Sequence, residues 1–222
     1  VLKILSKKKN FFKINILTAN TNYKLICKQI KELKPKTFIV YDRTTFLKVY
    51  KKFKNHKVKI LNSINSKKKK LHKSDISVAA IPGIAGLYPT IEIVKNSKKV
   101  LIANKESIVC GWDLIKNSAY KNNTKIVPVD SEHFSIMQLL DNEKLHDIKK
   151  IYLTASGGPF LNYSMSQLKK VKPIHAIKHP KWKMGKKISI DSATLMNKML
   201  EIVEANKLFL VDLKKIDIVI HP

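Results

Sequence analysis

Four segments of the 222-residue chain carry residue types that could do chemistry. In a helix expected over about residues 193–209, Thr194, Asn197, Lys198 and Glu201 fall at i, i+3, i+4 and i+7, so an amide, an ammonium and a carboxylate share one face. Ser192, at the expected N-terminus of that helix, adds a hydroxyl beside backbone N–H groups that favour anions. An ordinary solvated face with an N-cap serine has the same spacing. Val129-Asp130-Ser131-Glu132-His133 follows a candidate strand. In extended backbone i and i+2 side chains point the same way, so Asp130 and Glu132 could offer two hard oxygen ligands to Mg²⁺ or Mn²⁺, with Glu201 as the third. The same D-x-E is equally the acidic first turn of a helix. Thr154-Ala155-Ser156-Gly157-Gly158-Pro159-Phe160 runs a strand into a glycine pair, which suits either a phosphate-holding nest or a plain tight turn. Ser156 lies in no G-x-S-x-G elbow, which argues against a hydrolase nucleophile. His179-Pro180-Lys181-Trp182-Lys183-Met184-Gly185 has no periodicity and reads as a lid laying Trp182 and Met184 over a ligand, or as a surface loop whose Trp packs back.

The elements that must position these residues alternate. Short β-branched runs at 14–17, 37–41, 58–61, 76–79, 100–103 and 125–127 read as strands. Amphipathic segments at 23–33, 44–53 and 87–94 lie between them as helices. This succession predicts an α/β fold with a doubly wound parallel sheet over residues 1–130. From about Ser131 glycine, proline, serine and histidine become more frequent, and a second domain, of α+β type, is expected over 131–222. Its surest helix, 193–209, should bury Leu195, Met199, Ile202 and Val203. The run Lys67-Lys68-Lys69-Lys70 reads as a solvated helix face.

Composition narrows the function. A hydrophobic fraction of 44% supports a real core. The net charge of +28 suggests a polyanionic partner, yet Arg43 is the only arginine, and base-edge readers lean on the arginine fork. Nucleic acid is therefore not the expected partner, although a lysine-rich nucleic-acid-binding protein stands as the alternative. Cys27 and Cys110 form no metal or redox spacing. The longest uncharged stretch, 76–91, is interrupted by Pro82, Gly83, Gly86 and Pro89, and no signal peptide is visible, so a soluble intracellular protein without membrane association is expected. The chain begins at Val1 and stops at His221-Pro222, directly after the strand-like run Ile216–Ile220, which reads as a piece of a longer protein.

Taken in order, Asn104-Lys105-Glu106-Ser107, Val129–His133, Ser156–Phe160, His179-Pro180 with Trp182–Gly185, and Asp191–Thr194 through Met196-Asn197-Lys198 to Glu201 resemble the motifs of the 1-deoxy-D-xylulose 5-phosphate reductoisomerase family. The resemblance implies a Rossmann-like NADPH-binding domain followed by part of a catalytic domain. It also implies NADPH- and divalent-metal-dependent conversion of 1-deoxy-D-xylulose 5-phosphate to 2-C-methyl-D-erythritol 4-phosphate in non-mevalonate isoprenoid synthesis. By the resemblance, Asp130, Glu132 and Glu201 are metal ligands for Mg²⁺, Mn²⁺ or Co²⁺, and with Lys105 they are the catalytic set. Ser156, His179, Ser192, Asn197 and Lys198 match the phosphate pocket, and Ser131 and Lys105 match substrate contacts. Asn104, Glu106 and Gly185 match NADPH contacts, and Trp182 with Met184 match the lid. A homodimer and a bacterial cytoplasmic or plastid location are implied as well.

Departures from the family pattern shape the remaining expectations. The first strand and its glycine-rich phosphate loop should lie before Val1, and further catalytic and helical segments after Pro222. Asn20, Thr21 and Asn22 occupy the loop where many relatives place a basic residue against the 2′-phosphate, with Lys24 as a possible substitute. The alternatives left open are an inactive fragment of the enzyme and a metal-dependent phosphatase using the same carboxylates.

Overall fold

A computed structural model describes residues 2–64, 73–140, 147–177 and 185–221. Lys67–Lys70 and the expected site residues His179, Trp182 and Met184 lie outside these described residues. Packing divides the chain into two compact units, Val1–Ser74 and Asp75–Pro222.

The first unit contains α1 (Leu2–Lys7), β1 (Ile16–Ala19), α2 (Tyr23–Leu33), β2 (Thr37–Val40), α3 (Arg43–Phe53) and β3 (Lys59–Leu61). Its strands pair in parallel in the order β1-β2-β3, with Ile16 opposite Thr37 and Thr37 opposite Lys59. Every residue of β2 is buried, as expected of a central parallel strand covered on both faces. Phe38 and Val40 pack there with Ile26, Ile30, Val49, Phe53 and Ile60. The helix starts follow from side-chain caps: Asn22 Oδ1 accepts from Leu25 N at 3.1 Å and Asp42 Oδ1 from Thr45 N at 2.7 Å.

The second unit carries β4 (Ser74–Ala79, its first residue at the boundary), α4 (Leu87–Lys95), β5 (Ser97–Ile102), α5 (Lys105–Asn122), β6 (Lys125–Pro128) and α6 (Ser131–Leu139). It continues with β7 (Ile151–Ala155), α7 (Met165–Leu168), α8 (Pro173–Ala176), α9 (Lys186–Ala193), α10 (Met196–Phe209) and β8 (Ile216–Ile220). One sheet has the order β4-β5-β6, and a second pairs β7 with β8 in parallel, Ile151 opposite Ile216 and Ala155 opposite Ile220. The terminal strand-like run thus finds its partner in β7. The strand–helix–strand succession holds, while the six strands read over 1–130 pair as two three-stranded sheets among the described residues. Val94, Val100, Ile102, Ile108 and Ile115 form the core beneath β5, and Leu153, Ala205, Val211 and Ile216 the core beneath β7.

Phe38 is fully buried at the centre of the first unit. Phe38→Ala should destabilise that unit by about 3–5 kcal/mol through lost burial and the cavity left behind. Urea denaturation followed by a probe in residues 2–64 checks this, and a loss below about 1 kcal/mol contradicts the packing described.

Candidate functional site

The chemically equipped side chains of the second unit gather where β5, β6 and β7 end. Lys105 opens α5 directly after β5, Asp130 caps α6 directly after β6, and Ser156-Gly157-Gly158 follows β7. They border one cleft of about 1150 Å³ that α10 closes from one side with Asn197, Lys198 and Glu201.

The structure corrects the expected helix of residues 193–209 in three respects. Leu195 takes a left-handed backbone (φ 58°) and separates α9 from α10, so Ser192 sits in the last turn of α9 and not at an N-terminus. Thr194 lies in the turn, exposed, with its hydroxyl spent on the carbonyls of Ile190 and Asp191. The burial is partly reversed: Lys198, Glu201 and Glu204 are buried whereas Met199 is 54% exposed and Leu195 is exposed too, while Ile202 packs against the core beneath β7 as expected and Val203 is half-buried. Lys198 and Glu201 can turn inward because each meets an opposite charge there, whereas Glu204 faces the His133 ring.

Glu201 is the centre of that compensation. Its Oε1 accepts from Lys105 Nζ at 3.0 Å and from Asn197 Nδ2 at 2.5 Å, and its Oε2 accepts from Lys198 Nζ at 2.5 Å. Lys105 Nζ also reaches Asp130 Oδ2 at 2.9 Å and Asn197 Oδ1 at 2.8 Å. Lys198 Nζ also reaches Glu132 Oε1 at 2.9 Å and the Thr154 carbonyl at 2.7 Å. Ser131 Oγ donates to Glu132 Oε2 at 2.6 Å.

Of the two readings open for Asp130-Ser131-Glu132, an extended pair or the acidic first turn of a helix, the helical one holds. Asp130 stands at the N-cap position of α6 and Glu132 lies in its first turn. Their carboxylates converge all the same, since a cap residue and the residue two further on both border the helix mouth. Asp130, Glu132 and Glu201 each offer an oxygen within 4.8 Å of the others. Three hard anionic oxygens at this separation fit Mg²⁺ or Mn²⁺ in chemistry and number.

Titration follows from the crowding. Burial and the neighbouring carboxylates push Asp130 above its ordinary value despite the attraction of Lys105. Burial acts upward on Glu132 too, but hydrogen bonds from Asp130, Ser131 and Lys198 outweigh it and take Glu132 down to about 2. Burial pulls the Lys105 ammonium down, yet the charges of Asp130 and Glu201 prevail and raise it.

Other expected site residues are placed as the local contacts dictate. Ser156 and Ser192 border the same cleft as Lys198. Gly157 and Gly158 both have positive φ, and a Cβ on Gly158 would meet the Ser192 carbonyl at 2.6 Å, so this turn requires glycine twice over. Asn104 is buried, its Oδ1 accepting from Ser107 N and its Nδ2 donating to the carbonyls of Ile81 and Gly83. Its amide therefore fixes the loop before α5. Glu106 pairs with Lys187 of α9 at 2.9 Å, and Gly185 caps α9 with open space around it. Asn20, Thr21 and Asn22 belong to the first unit, after β1, where Asn22 caps α2.

Sequence reasoning misses His133 and Glu204 as site neighbours. The His133 ring is fully buried; Nε2 donates to the Glu201 carbonyl at 2.9 Å and Nδ1 faces Glu204 Oε2 at 3.4 Å. A signal for Glu204 exists in the sequence, because it continues the polar stripe one turn beyond Glu201.

Comparison with known proteins places this geometry. The model of the 1-deoxy-D-xylulose 5-phosphate reductoisomerase family matches residues 1–111, and that of the reductoisomerase C-terminal domain matches residues 126–209. The chain belongs to the 1-deoxy-D-xylulose 5-phosphate reductoisomerase family. It is 51% identical to the reductoisomerase of Pelagibacter ubique (strain HTCC1062), the match covering 100% of this chain and 58% of that protein. It is 44% identical to the one of Wolbachia sp. subsp. Drosophila simulans (strain wRi), over 99% of this chain and 56% of the relative. The chain therefore spans little more than half the length of these curated relatives. A crystal structure of DOX-P reductoisomerase in complex with NADPH, fosmidomycin and magnesium superimposes with a TM-score of 0.87 at 35% identity, over 100% of this chain and 57% of that one. The Zymomonas mobilis reductoisomerase in complex with NADPH gives 0.86 at 32% identity, with the same coverage. The strand–helix–strand succession of this chain is accordingly the Rossmann-like α/β architecture of the reductoisomerase family.

Burial, with the charge of Asp130 added, pushes Glu204 up to about 8 from 4.5. A carboxyl whose pKa rises on folding supports the fold fully below its unfolded value, and that support is lost as pH climbs through its folded value. Stability should therefore fall between about pH 5 and pH 8, and Glu204→Gln, which cannot ionise, should flatten the decline. Urea denaturation across this window in the presence of a chelator tests it; an unaltered slope in the variant would exclude Glu204 as the source.

Proposed function

We propose that the protein containing this chain converts 1-deoxy-D-xylulose 5-phosphate to 2-C-methyl-D-erythritol 4-phosphate, using NADPH and a divalent cation. The observation that carries this reading is the convergence on one cleft of Asp130, Glu132 and Glu201, the residues to which the family resemblance assigns the metal. These three carboxylates would hold Mg²⁺ or Mn²⁺, which supplies Lewis-acid stabilisation of the negative charge developing on the substrate's carbonyl and hydroxyl oxygens. NADPH would supply the hydride that completes the reaction after the carbon skeleton has rearranged; the resemblance assigns it Asn20, Thr21 and Asn22 of the first unit and Glu106 and Gly185 of the second, while Asn104, matched to the same cofactor, acts by holding the loop before α5.

The chain's own groups do the rest. Lys105 Nζ, only 12% exposed at the side chain, holds its proton and positive charge between Asp130 and Glu201, beside the region where charge develops. Ser131 orients Glu132 through the hydroxyl it donates. Ser156, Ser192, Asn197 and Lys198, with His179, take the phosphate end and fix which carbons face the carboxylates. Trp182 and Met184, which lie outside the described residues, would be the lid that the family resemblance implies. The division of labour is between a cofactor-binding part, residues 1–130, and a catalytic part, 131–222; the two family matches fall on either side of residues 112–125, which supports it. A homodimer in the cytoplasm of a bacterial cell, free of nucleic acid and membrane, completes the proposal. The bacterial relatives support the bacterial setting, no described helix is long and apolar enough to cross a membrane, and the homodimer follows from the family resemblance alone.

Glu201→Gln in the full-length protein should lower substrate-dependent NADPH oxidation by at least about 100-fold, because it removes a charged ligand and strands two ammoniums. Equilibrium Mn²⁺ binding measured alongside should weaken with it. Cation-dependent turnover retained at the wild-type level would defeat the metal assignment.

A further inference from the structure

An ammonium has three N–H donors, and all three of Lys198 are spent. They go to Glu132 Oε1, Glu201 Oε2 and the Thr154 carbonyl, at 2.9, 2.5 and 2.7 Å. With only 5% of the residue exposed, this arrangement leaves no donor for a phosphate. Yet two of the three acceptors are oxygens of carboxylates that converge on a candidate cation position. Glu201 Oε1 is held by Lys105 and Asn197, and Glu132 Oε2 by Ser131, so the oxygens that Lys198 holds are the ones a cation has to share or take. A divalent charge held by those oxygens would repel an ammonium on the same atoms.

The third acceptor, the Thr154 carbonyl, lies on the side of the β7 turn. Thr154 stands two residues before Ser156 on the β7 end, and Ser156 and Ser192 border the cleft beside Lys198. Asn197 is its neighbour on α10. Lys105 has no comparable route, since its acceptors Asp130, Asn197 and Glu201 include none from the β7 turn.

We propose that Lys198 works in two positions. It is the counter-ion of Glu132 and Glu201 until a divalent cation claims their oxygens, and it is then a ligand of the substrate's phosphate. Cation and phosphate therefore bind with positive coupling through this one side chain. The inference rests on the reading that Asp130, Glu132 and Glu201 hold the cation. Three carboxylates face two ammoniums in the cluster, and a divalent cation leaves positive charge in excess, which a phosphate dianion takes up.

The test uses the full-length protein with Mn²⁺ alone and inorganic phosphate alone as probes. In wild type, saturating Mn²⁺ should tighten phosphate binding about tenfold by calorimetry, and phosphate should tighten Mn²⁺ by the same factor. Lys198→Met should bind Mn²⁺ about tenfold more tightly by paramagnetic resonance titration and lose most of the coupling. Weaker or unchanged Mn²⁺ binding in the folded variant overturns the proposal, because a merely supporting lysine gives that result. A wild-type measurement guards against a variant that does not fold. Trace acetylation read by peptide mass spectrometry should label Lys198 more with Mn²⁺ than without, and phosphate should reverse the gain; labelling indifferent to Mn²⁺ overturns the proposal. Mn²⁺ binding without coupling defeats this inference alone, whereas a wild type that takes no Mn²⁺ defeats the carboxylate reading beneath it.

Discussion

Taking an ionised carboxylate out of water costs several kcal/mol, and the side chain of Glu201 is 2% exposed. That cost is offset only if opposite charges and donors reach it with good geometry. They come from separate places in the chain: Lys105 from the start of α5, and Asn197 and Lys198 from the preceding turn of α10. Meeting the requirement fixes α5 against α10, and the outlying bonds extend it. Asp130 ties in the end of β6, Glu132 the first turn of α6, and Thr154 the end of β7. Removing one partner of such a cluster typically costs about 3–5 kcal/mol, comparable to the loss of a large core side chain.

The arrangement also explains where the cleft lies. In α/β folds ligands collect at the carboxyl ends of parallel strands, because successive strands deliver their following loops to one edge. Here β5 delivers Lys105, β6 delivers Asp130 with Glu132, and β7 delivers the Ser156–Gly158 turn. The glycine turn can approach α9 closely only because position 158 lacks a Cβ, the Ser192 carbonyl being where that atom would go.

Much of this is legible in the sequence, with a physical pattern to the exceptions. The helix over 23–33 reads correctly to the residue, since its apolar spacing and its Asn22 cap agree. Strands are placed within about three residues of their ends, because β-branched runs favour the pleated backbone. Glu201, Asn197 and Lys198 stand out as one stripe and do act together. The direction of that stripe is misread, however. A periodicity argument assigns the apolar side to the interior, and it has no means of knowing that Lys105, from a distant segment, joins Lys198 in compensating the buried Glu201. Leu195 and Met199 are accordingly exposed against expectation. The Asp130–Glu132 pair suits an extended backbone and a helix mouth equally in sequence, because a cap residue is itself extended and the helix begins only one residue later; the helical reading is the one that forms. Glu204 and His133 escape notice because their pairing is a tertiary contact across 71 positions, visible in no local window.

The cluster cannot be accounted for by stability alone. Well-packed apolar side chains of similar volume commonly match or exceed a buried ion pair in stability, so five charged groups within one cleft are an inefficient way to hold two helices together. The second unit already has apolar cores beneath β5 and beneath β7 that could serve that purpose. What an apolar replacement could not do is present three oxygens to a hard cation while keeping ammoniums within reach of the same atoms. Mutual compensation lets these groups remain charged in a poorly hydrated setting, where each of them acts more strongly on a ligand than it would in water. The inward charge of α10 is thus explained by chemistry that the fold is able to tolerate.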